Sequence, residues 1–353
     1  MDAQTNSDAA ADPELAGEHG VRREPYATGP TAAAGQTGAG AAAGARAAGG
    51  ARAAGGARPD FVLGGTLTIR RLGFGTGGLV GPGYWGPRHT DPARSLALLR
   101  RAVDRGVTLI DTADNYGPDV AEELVARALH PYPAGLVIAT KGGVVRTGPD
   151  VWHVAGRPEH LRAMCDASLR RLRTDTIDLY QLHRLDPDVP MAEQLGALVE
   201  LQQAGKIRHI GLDSIDAAEL ARARELAPIA SVQNRYNVLD RACEDVLELC
   251  ERTGTAFLPW FPLGHGTLTG APGTRTSAPA PAPVADALTT IAAAHGATTG
   301  QIALAWLLHH SPALLPTPGT GSPDHLDENL AAGRIALTEA ELGLLDALGT
   351  RAG

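Results

Sequence analysis

Four polar residues stand at the ends of apolar runs, spaced as successive strands would space them. In LIDTADNYG, Asp111 closes the apolar run and Tyr116 follows five residues later; AGLVIATKGG carries Lys141, and IDLYQLHR carries His183. From Asp111 to Lys141 is 30 residues and from Lys141 to His183 is 42, each the length of one strand–helix repeat with its loops. The set suits carbonyl reduction. Hydride delivery builds negative charge on the carbonyl oxygen, which then needs a proton. A free tyrosine has a pKa of about 10, too high for efficient donation near neutral pH. A neighbouring lysine ammonium makes the phenol a better acid, and an aspartate beside the lysine keeps that ammonium charged and in place. A histidine can give the carbonyl a second hydrogen bond and orient it. Of 31 lysines and arginines only Lys141 and Lys206 are lysine, so a lysine here stands out. Arginine cannot give up its proton near neutral pH, whereas a buried lysine can retune its pKa.

Taken singly, each residue has a duller role: a loop tyrosine packs, a strand-end aspartate caps a turn, a buried histidine is a satisfied core group. What unites them is the framework they imply. Apolar runs at Leu72–Phe74, Thr108–Asp111, Leu136–Thr140, Ile177–Leu182, His209–Leu212, Ser231–Asn234, Ala256–Pro259 and Leu314–Pro318 read as eight strands. Helical patterns at Pro92–Arg105, Pro158–Leu172, Met191–Ala204, Ala217–Leu226, Ala242–Arg252, Val284–Ala294, Thr299–His309, Ser322–Ala332 and Thr338–Leu348 alternate with them. That alternation predicts an α/β fold, a (β/α)8 TIM barrel, preceded by an N-terminal β-hairpin that turns at Gly64-Gly65. Catalytic residues of such barrels sit at the C-terminal ends of the strands, which is where the four residues fall. Thr338-Glu339-Ala340-Glu341 has the form of a capping box.

Gly73-Phe74-Gly75-Thr76-Gly77-Gly78 matches G-x-G-x-x-G but does not open a helix directly, because Gly81-Pro82-Gly83 follows. No acidic residue follows a second strand at the required spacing, so a dinucleotide fingerprint is rejected in favour of a flexible first βα loop at the barrel mouth. Residues 1–59 are Ala/Gly-rich, with the crude repeat GARAAGGARAAGGAR, and are expected to be a disordered tail ahead of a barrel over 60–353. The Pro/Ala-rich stretch Gly270–Pro283 is expected to be a mobile loop.

Composition narrows the class. Hydrophobic residues make up 44% of 353, enough for a large core, and the net charge of −8 without a basic stripe argues against a nucleic-acid partner. No apolar run is long enough to span a membrane. The N-terminus lacks the apolar core of a secretory signal. Cys165, Cys243 and Cys250 show no metal-ligand spacing and read as reduced thiols of a cytoplasmic protein. The chain is expected to act as a monomer or weak homo-oligomer on a small-molecule carbonyl substrate, without a metal.

LGFGTGGL, LIDTADNYG, ATKGG, DLYQLHR, KIRHIGL, SVQNRYN, PLGHG and HLDENLAA, in this order, resemble the aldo-keto reductase family over about residues 62–350. The resemblance implies a (β/α)8 barrel that carries NADPH (NADH being the alternative) without a Rossmann domain, and Asp111, Tyr116, Lys141 and His183 as a catalytic tetrad. It implies that Ser214 and Gln233 contact the carboxamide and that Trp260 stacks on the nicotinamide. Gly75 and Thr76, Phe261, Leu263 and Gly264, and Gly319, Thr320, His325, Glu328 and Asn329 are implied to hold the rest of the cofactor, with a helix N-terminus as a phosphate site. Three positions depart from the family pattern. Asp213-Ser214 replaces Ser-Asn, Trp260 replaces Tyr, and His325 stands where an Arg often reads the 2′-phosphate.

LVGPGYWGPR, YGPDVAEELVARALHPYP, VQNRYNVLDRACEDVL and LPWFPLGHG look like the pyridoxal reductase (pyridoxine 4-dehydrogenase) branch. Tyr84, Trp85, Trp260 and Phe261 would then wall an aromatic slot for a flat ring. Two rivals stay open: a nicotinamide-binding regulatory subunit, like the aldo-keto reductase-fold β-subunits of potassium channels, and a Schiff-base lyase using Lys141.

Overall fold

The computed structural model describes residues 60–269 and 280–349. The expected tail over 1–59 and residues 270–279 of the expected loop lie outside them. β1 (Asp60–Leu63) and β2 (Leu67–Arg70) pair as an antiparallel hairpin. Its turn needs a left-handed backbone at both central residues, and Gly64 and Gly65 supply it at φ 56° and 75°. Leu63 and Ile69 join Leu109, Val137, Leu179, Ala256, Leu258 and Leu315 in one buried apolar cluster, so the hairpin closes one end of the barrel interior.

The barrel follows in chain order: β3 (Phe74–Gly75), β4 (Leu109–Asp111), β5 (Val137–Gly142), an antiparallel pair β6 (Val144–Gly148) and β7 (Val151–Val154), then β8 (Ile177–Leu182), β9 (Ile207–Asp213), β10 (Ile229–Arg235) and β11 (Ala256–Trp260). Setting β6 and β7 aside, these strands form one parallel sheet in the order β3-β4-β5-β8-β9-β10-β11. The eighth segment closes the ring by bridging Leu314 to Phe257 on one side and Gly319 to Gly75 on the other. Backbone bonds from Leu315 N to Phe257 O (2.8 Å) and Gly73 N to Pro316 O (3.0 Å) reinforce the seam. It stays a pair of bridges and not a regular strand because Pro316 and Pro318 have no N–H to give the ladder. Glycine is required here: a Cβ on Gly75 would lie 2.6 Å from Thr317 O, and one on Gly319 would lie 2.8 Å from Gly75 O. The G-x-G-x-x-G stretch thus runs through the barrel seam. A short 3-10 turn at Thr76–Leu79 follows it, and the next α-helix begins only at Ala93.

Ten α-helices surround the described sheet: α1 (Ala93–Asp104), α2 (Val120–Leu129), α3 (Pro158–Leu172), α4 (Met191–Gln203), α5 (Ala217–Leu226), α6 (Glu244–Thr253), α7 (Ala282–His295), α8 (Thr299–His310), α9 (Pro323–Ala331) and α10 (Glu339–Leu348). The Thr338–Glu341 capping box is present, with Thr338 Oγ1 accepting from Glu341 N. The β6–β7 hairpin and α2 are absent from the sequence reading above. α2 escapes it although Asp119 with Glu122 three residues on is a standard start signal; in the structure Asp119 enters at φ 68° without a side-chain capping bond. No described helix is long and apolar enough to cross a membrane.

Candidate active site

Strand pairing brings the polar residues to one rim. Lys141 on β5 sits beside Gln181 on β8, and Asp213 on β9 sits beside Gln233 on β10. Lys141 is 1% exposed, and its Nζ donates to Asp111 Oδ1 and to the Thr112 carbonyl, both at 2.8 Å. A buried ion pair survives desolvation only when its remaining lone pairs and protons are also matched. Here Gln181 Nε2 (3.3 Å) and Gln233 Nε2 (3.2 Å) donate to the two oxygens of Asp111. Lys141 Nζ lies 5.3 Å from the centre of the Tyr116 ring, in front of the pair.

His183 faces the same space, its ring 6.3 Å from that of Tyr116. Burial lowers its pKa far below the usual histidine value, and the cations Lys141, Arg184 and Arg146 push the same way, so the ring is neutral at pH 7. Asp213 Oδ2 lies 4.0 Å from His183 Nε2. With a neutral imidazole this is a facing pair and not an ion pair. Burial raises the Asp213 carboxyl to about 7, against the hydrogen bond from Ser214 Oγ (2.6 Å) and the pull of Lys141 and Arg184.

The cleft in front of these groups is lined by Tyr84, Tyr116, His183, Arg184, Asp213, Ser214, Gln233, Trp260 and Phe261. Ser214 and Phe261 are held at φ 57° and 53°, a strained backbone for non-glycine residues and a common feature of functional rims. Trp260 and Phe261 meet edge to face at 4.8 Å. Gln233 Oε1 is buried and has no hydrogen-bond partner among the described residues.

The remaining residues implied to hold cofactor lie outside the cleft lining. Leu263 and Gly264 enter a 3-10 turn just past Phe261. Gly75 bridges Gly319, and Thr76 Oγ1 donates to Thr112 Oγ1 at 2.8 Å. Thr320 Oγ1 accepts from Ser322 N at the start of α9. On α9, His325 is exposed and Asn329 is buried, while Glu328 accepts from Thr298 Oγ1 at 2.6 Å and so helps anchor the start of α8. Trp85 is corrected: it is 38% exposed and does not line the cleft. The nearby indole is Trp152 of the β6–β7 hairpin, 6.1 Å from the His183 ring and 5.7 Å from that of Tyr84. The turn Gly148-Pro149-Asp150 between two valine-containing runs was the available signal for that hairpin. Gln181 and Asn115 were also passed over, although both lie inside the motifs that carry His183 and Tyr116.

A parallel barrel with a buried lysine–aspartate pair behind a tyrosine at its C-terminal rim has the frame of a barrel oxidoreductase. The model of the Aldo/keto reductase family matches residues 71–350, and the chain belongs to that family. It is 42% identical over 282 residues to an uncharacterised oxidoreductase of Schizosaccharomyces pombe, covering 80% of this chain and 87% of the relative. It is 38% identical over 291 residues to pyridoxine 4-dehydrogenase of Escherichia coli, covering 80% of this chain and 96% of that enzyme. An aldo-keto reductase from Klebsiella pneumoniae, crystallised with NADPH, superposes with a TM-score of 0.68 at 27% identity, over 82% of this chain and 95% of that one.

Proposed function

We propose that this chain reduces an aldehyde or ketone to an alcohol at the expense of NADPH, with NADH as the weaker donor. The observation that carries the reading is the buried, hydrogen-bonded Lys141–Asp111 pair beside Tyr116, with the His183 ring 6.3 Å from that of Tyr116. The residues at the cleft fit a nicotinamide: an unpartnered amide oxygen on Gln233 suits a carboxamide N–H, and Trp260 with Phe261 offers an aromatic wall for the ring. The bound dinucleotide would supply the hydride. Tyr116 gives its hydroxyl proton to the carbonyl oxygen, and Lys141, kept charged by Asp111, stabilises the phenolate left behind. His183 donates a second hydrogen bond to the same oxygen. Lys141 is committed to two hydrogen bonds, which supports this reading over Schiff-base chemistry. The barrel is taken to run from residue 60 to the end of the chain, following the Ala/Gly-rich residues 1–59.

The proposed substrate is pyridoxal. The supports are the likeness to pyridoxine 4-dehydrogenase and the aromatic faces of Tyr84, Tyr116 and Trp260 around the cleft. The test is kcat/KM for pyridoxal, butanal and 4-nitrobenzaldehyde, read by loss of NADPH or NADH absorbance. Pyridoxal should lead, and Tyr84→Ala should erode its lead. If both other aldehydes are reduced better and Tyr84→Ala leaves the ranking unchanged, the vitamer is not the substrate. His325→Arg should widen the preference for NADPH, since a fixed guanidinium grips a phosphate with two hydrogen bonds. An unchanged KM ratio would place 2′-phosphate recognition elsewhere.

A further inference from the structure

His183 is held from behind by one side chain. Asn115 is 3% exposed, and its Nδ2 lies 3.0 Å from the Val144 carbonyl oxygen and 3.0 Å from His183 Nδ1. A backbone carbonyl can only accept, so the nitrogen end of the Asn115 amide must face Val144. That fixes the flip of the amide without reference to the histidine. The second N–H of the same nitrogen then points at His183 Nδ1, which must accept. A neutral imidazole that accepts at Nδ1 carries its proton on Nε2. Protonation of Nδ1 would set two donors against each other in a buried space. The charged groups around the ring add to this constraint. Lys141 on β5, Arg146 on β6 and Arg184 after β8 oppose a further positive charge, while Asp213 on β9 faces Nε2 from 4.0 Å.

We propose that Asn115 is a positioning residue that locks His183 in its Nε2–H tautomer and aims that N–H into the cleft. The inference deepens the reductase reading and rests on it for its purpose: the carbonyl oxygen meets a hydrogen-bond donor and not a lone pair. The tautomer itself can be measured without turnover.

The experiment is ¹⁵N NMR of the full chain labelled at histidine, with His183 picked out from the 12 histidines by a His183→Gln variant. In the unsubstituted protein His183 should show a protonated Nε2 and an unprotonated Nδ1 throughout pH 5.5–8. Asn115→Asp presents only acceptor oxygens to Nδ1 once its carboxyl is ionised, so it is read at pH 8. It should move the proton to Nδ1 or yield imidazolium, with a loss of about 100-fold in kcat, the size expected for one donor to the developing oxyanion. Cofactor affinity should be unchanged. Asn115→Leu removes the constraint and should give a mixture of tautomers. An Nδ1–H or imidazolium signal in the unsubstituted protein overturns the proposal, and that spectrum alone decides it if either variant fails to fold. An Nε2–H signal with no Nδ1–H tautomer beside it in folded Asn115→Leu also overturns it. If no aldehyde is reduced while the tautomers behave as stated, the reductase reading fails and the role of Asn115 stands.

Discussion

Two of the buried clusters of ionisable side chains among the described residues are finished in opposite ways. Behind the cleft, Lys141 and Asp111 hold each other, but Gln233 Oε1 and Gln181 Oε1 are left without partners, and the cations Lys141, Arg184 and Arg146 act on His183. On another side, the end of β10 meets α6, α8 and α10. There Tyr236 donates to Glu244 (2.6 Å), and His310 contacts Glu244 through Nε2 (3.2 Å) and Asp346 through Nδ1 (3.1 Å). Trp306 Nε1 also donates to Asp346 (2.9 Å). Burial pulls the His310 pKa down, but its bonds to Asp346 and Glu244 outweigh burial and raise it above the usual value. The charged form is thus disfavoured in one histidine and favoured in the other. A cluster in which opposite charges close on each other ties elements together. A cluster that keeps unmatched groups at the edge of a cleft, beside strained residues such as Ser214 and Phe261, is built to receive something.

That contrast predicts a clean separation of effects. Tyr116→Phe should lower kcat by about 100- to 10,000-fold, the range of a general acid, with melting temperature and cofactor affinity unchanged. Retention of more than about a tenth of the original kcat would remove Tyr116 from the proton transfer. Glu244→Ala should do the reverse. It strips a buried partner from His310 and Tyr236, at a cost of about 3–5 kcal/mol, so melting should fall by roughly 10 °C. The kcat measured well below melting should stay within about twofold. A variant of Glu244 that kept its melting temperature but lost activity would show the two clusters to be coupled.

The two clusters also differed in how far the sequence revealed them. Asp111, Lys141 and His183 were legible because each ends an apolar run, and the spacing of the runs implied consecutive strands of one barrel. The barrel class followed from the same alternation, while the β6–β7 hairpin and α2 did not. Asn115 stands directly before Tyr116, yet its partner His183 is 68 residues away and no local pattern links them. The second cluster was invisible for the same reason: His310 to Glu244 spans 66 positions, and only folding makes them neighbours. The eighth strand was read correctly in place but not in form, since Pro316 and Pro318 reduce it to bridges. Trp85 belongs to the loop after the first barrel strand, which is why it is expected at the mouth, whereas Trp152 comes from a hairpin that the strand–helix alternation does not announce.

The smallest predicted effect probes the boundary of the first cluster, at Asp213. Asp213 is 5% exposed, and its carboxyl is raised to about 7 by burial, while an unfolded chain holds aspartate at about 3.9. A carboxyl whose pKa is higher in the folded state binds its proton more tightly there. Its contribution to stability is therefore complete below the unfolded value and is lost as pH rises through about 7. Asp213→Asn keeps the shape and removes the titration. The variant should gain a few degrees in melting temperature over the unsubstituted protein at pH 8, and less at pH 5, because the full rise corresponds to at most about 4 kcal/mol and the cleft admits some water. Glu244→Ala should behave differently. Its stabilising partner is the His310 cation, whose raised pKa makes the bond strongest below about pH 6.5 and weaker as pH climbs through the raised value. The loss on removing Glu244 should therefore shrink from pH 6 to pH 8, while the gain on neutralising Asp213 grows. If the Asp213→Asn difference in melting temperature is the same at pH 5 and pH 8, the carboxyl is already ionised at pH 5. The cleft would then carry a fixed negative charge opposite His183 throughout that range.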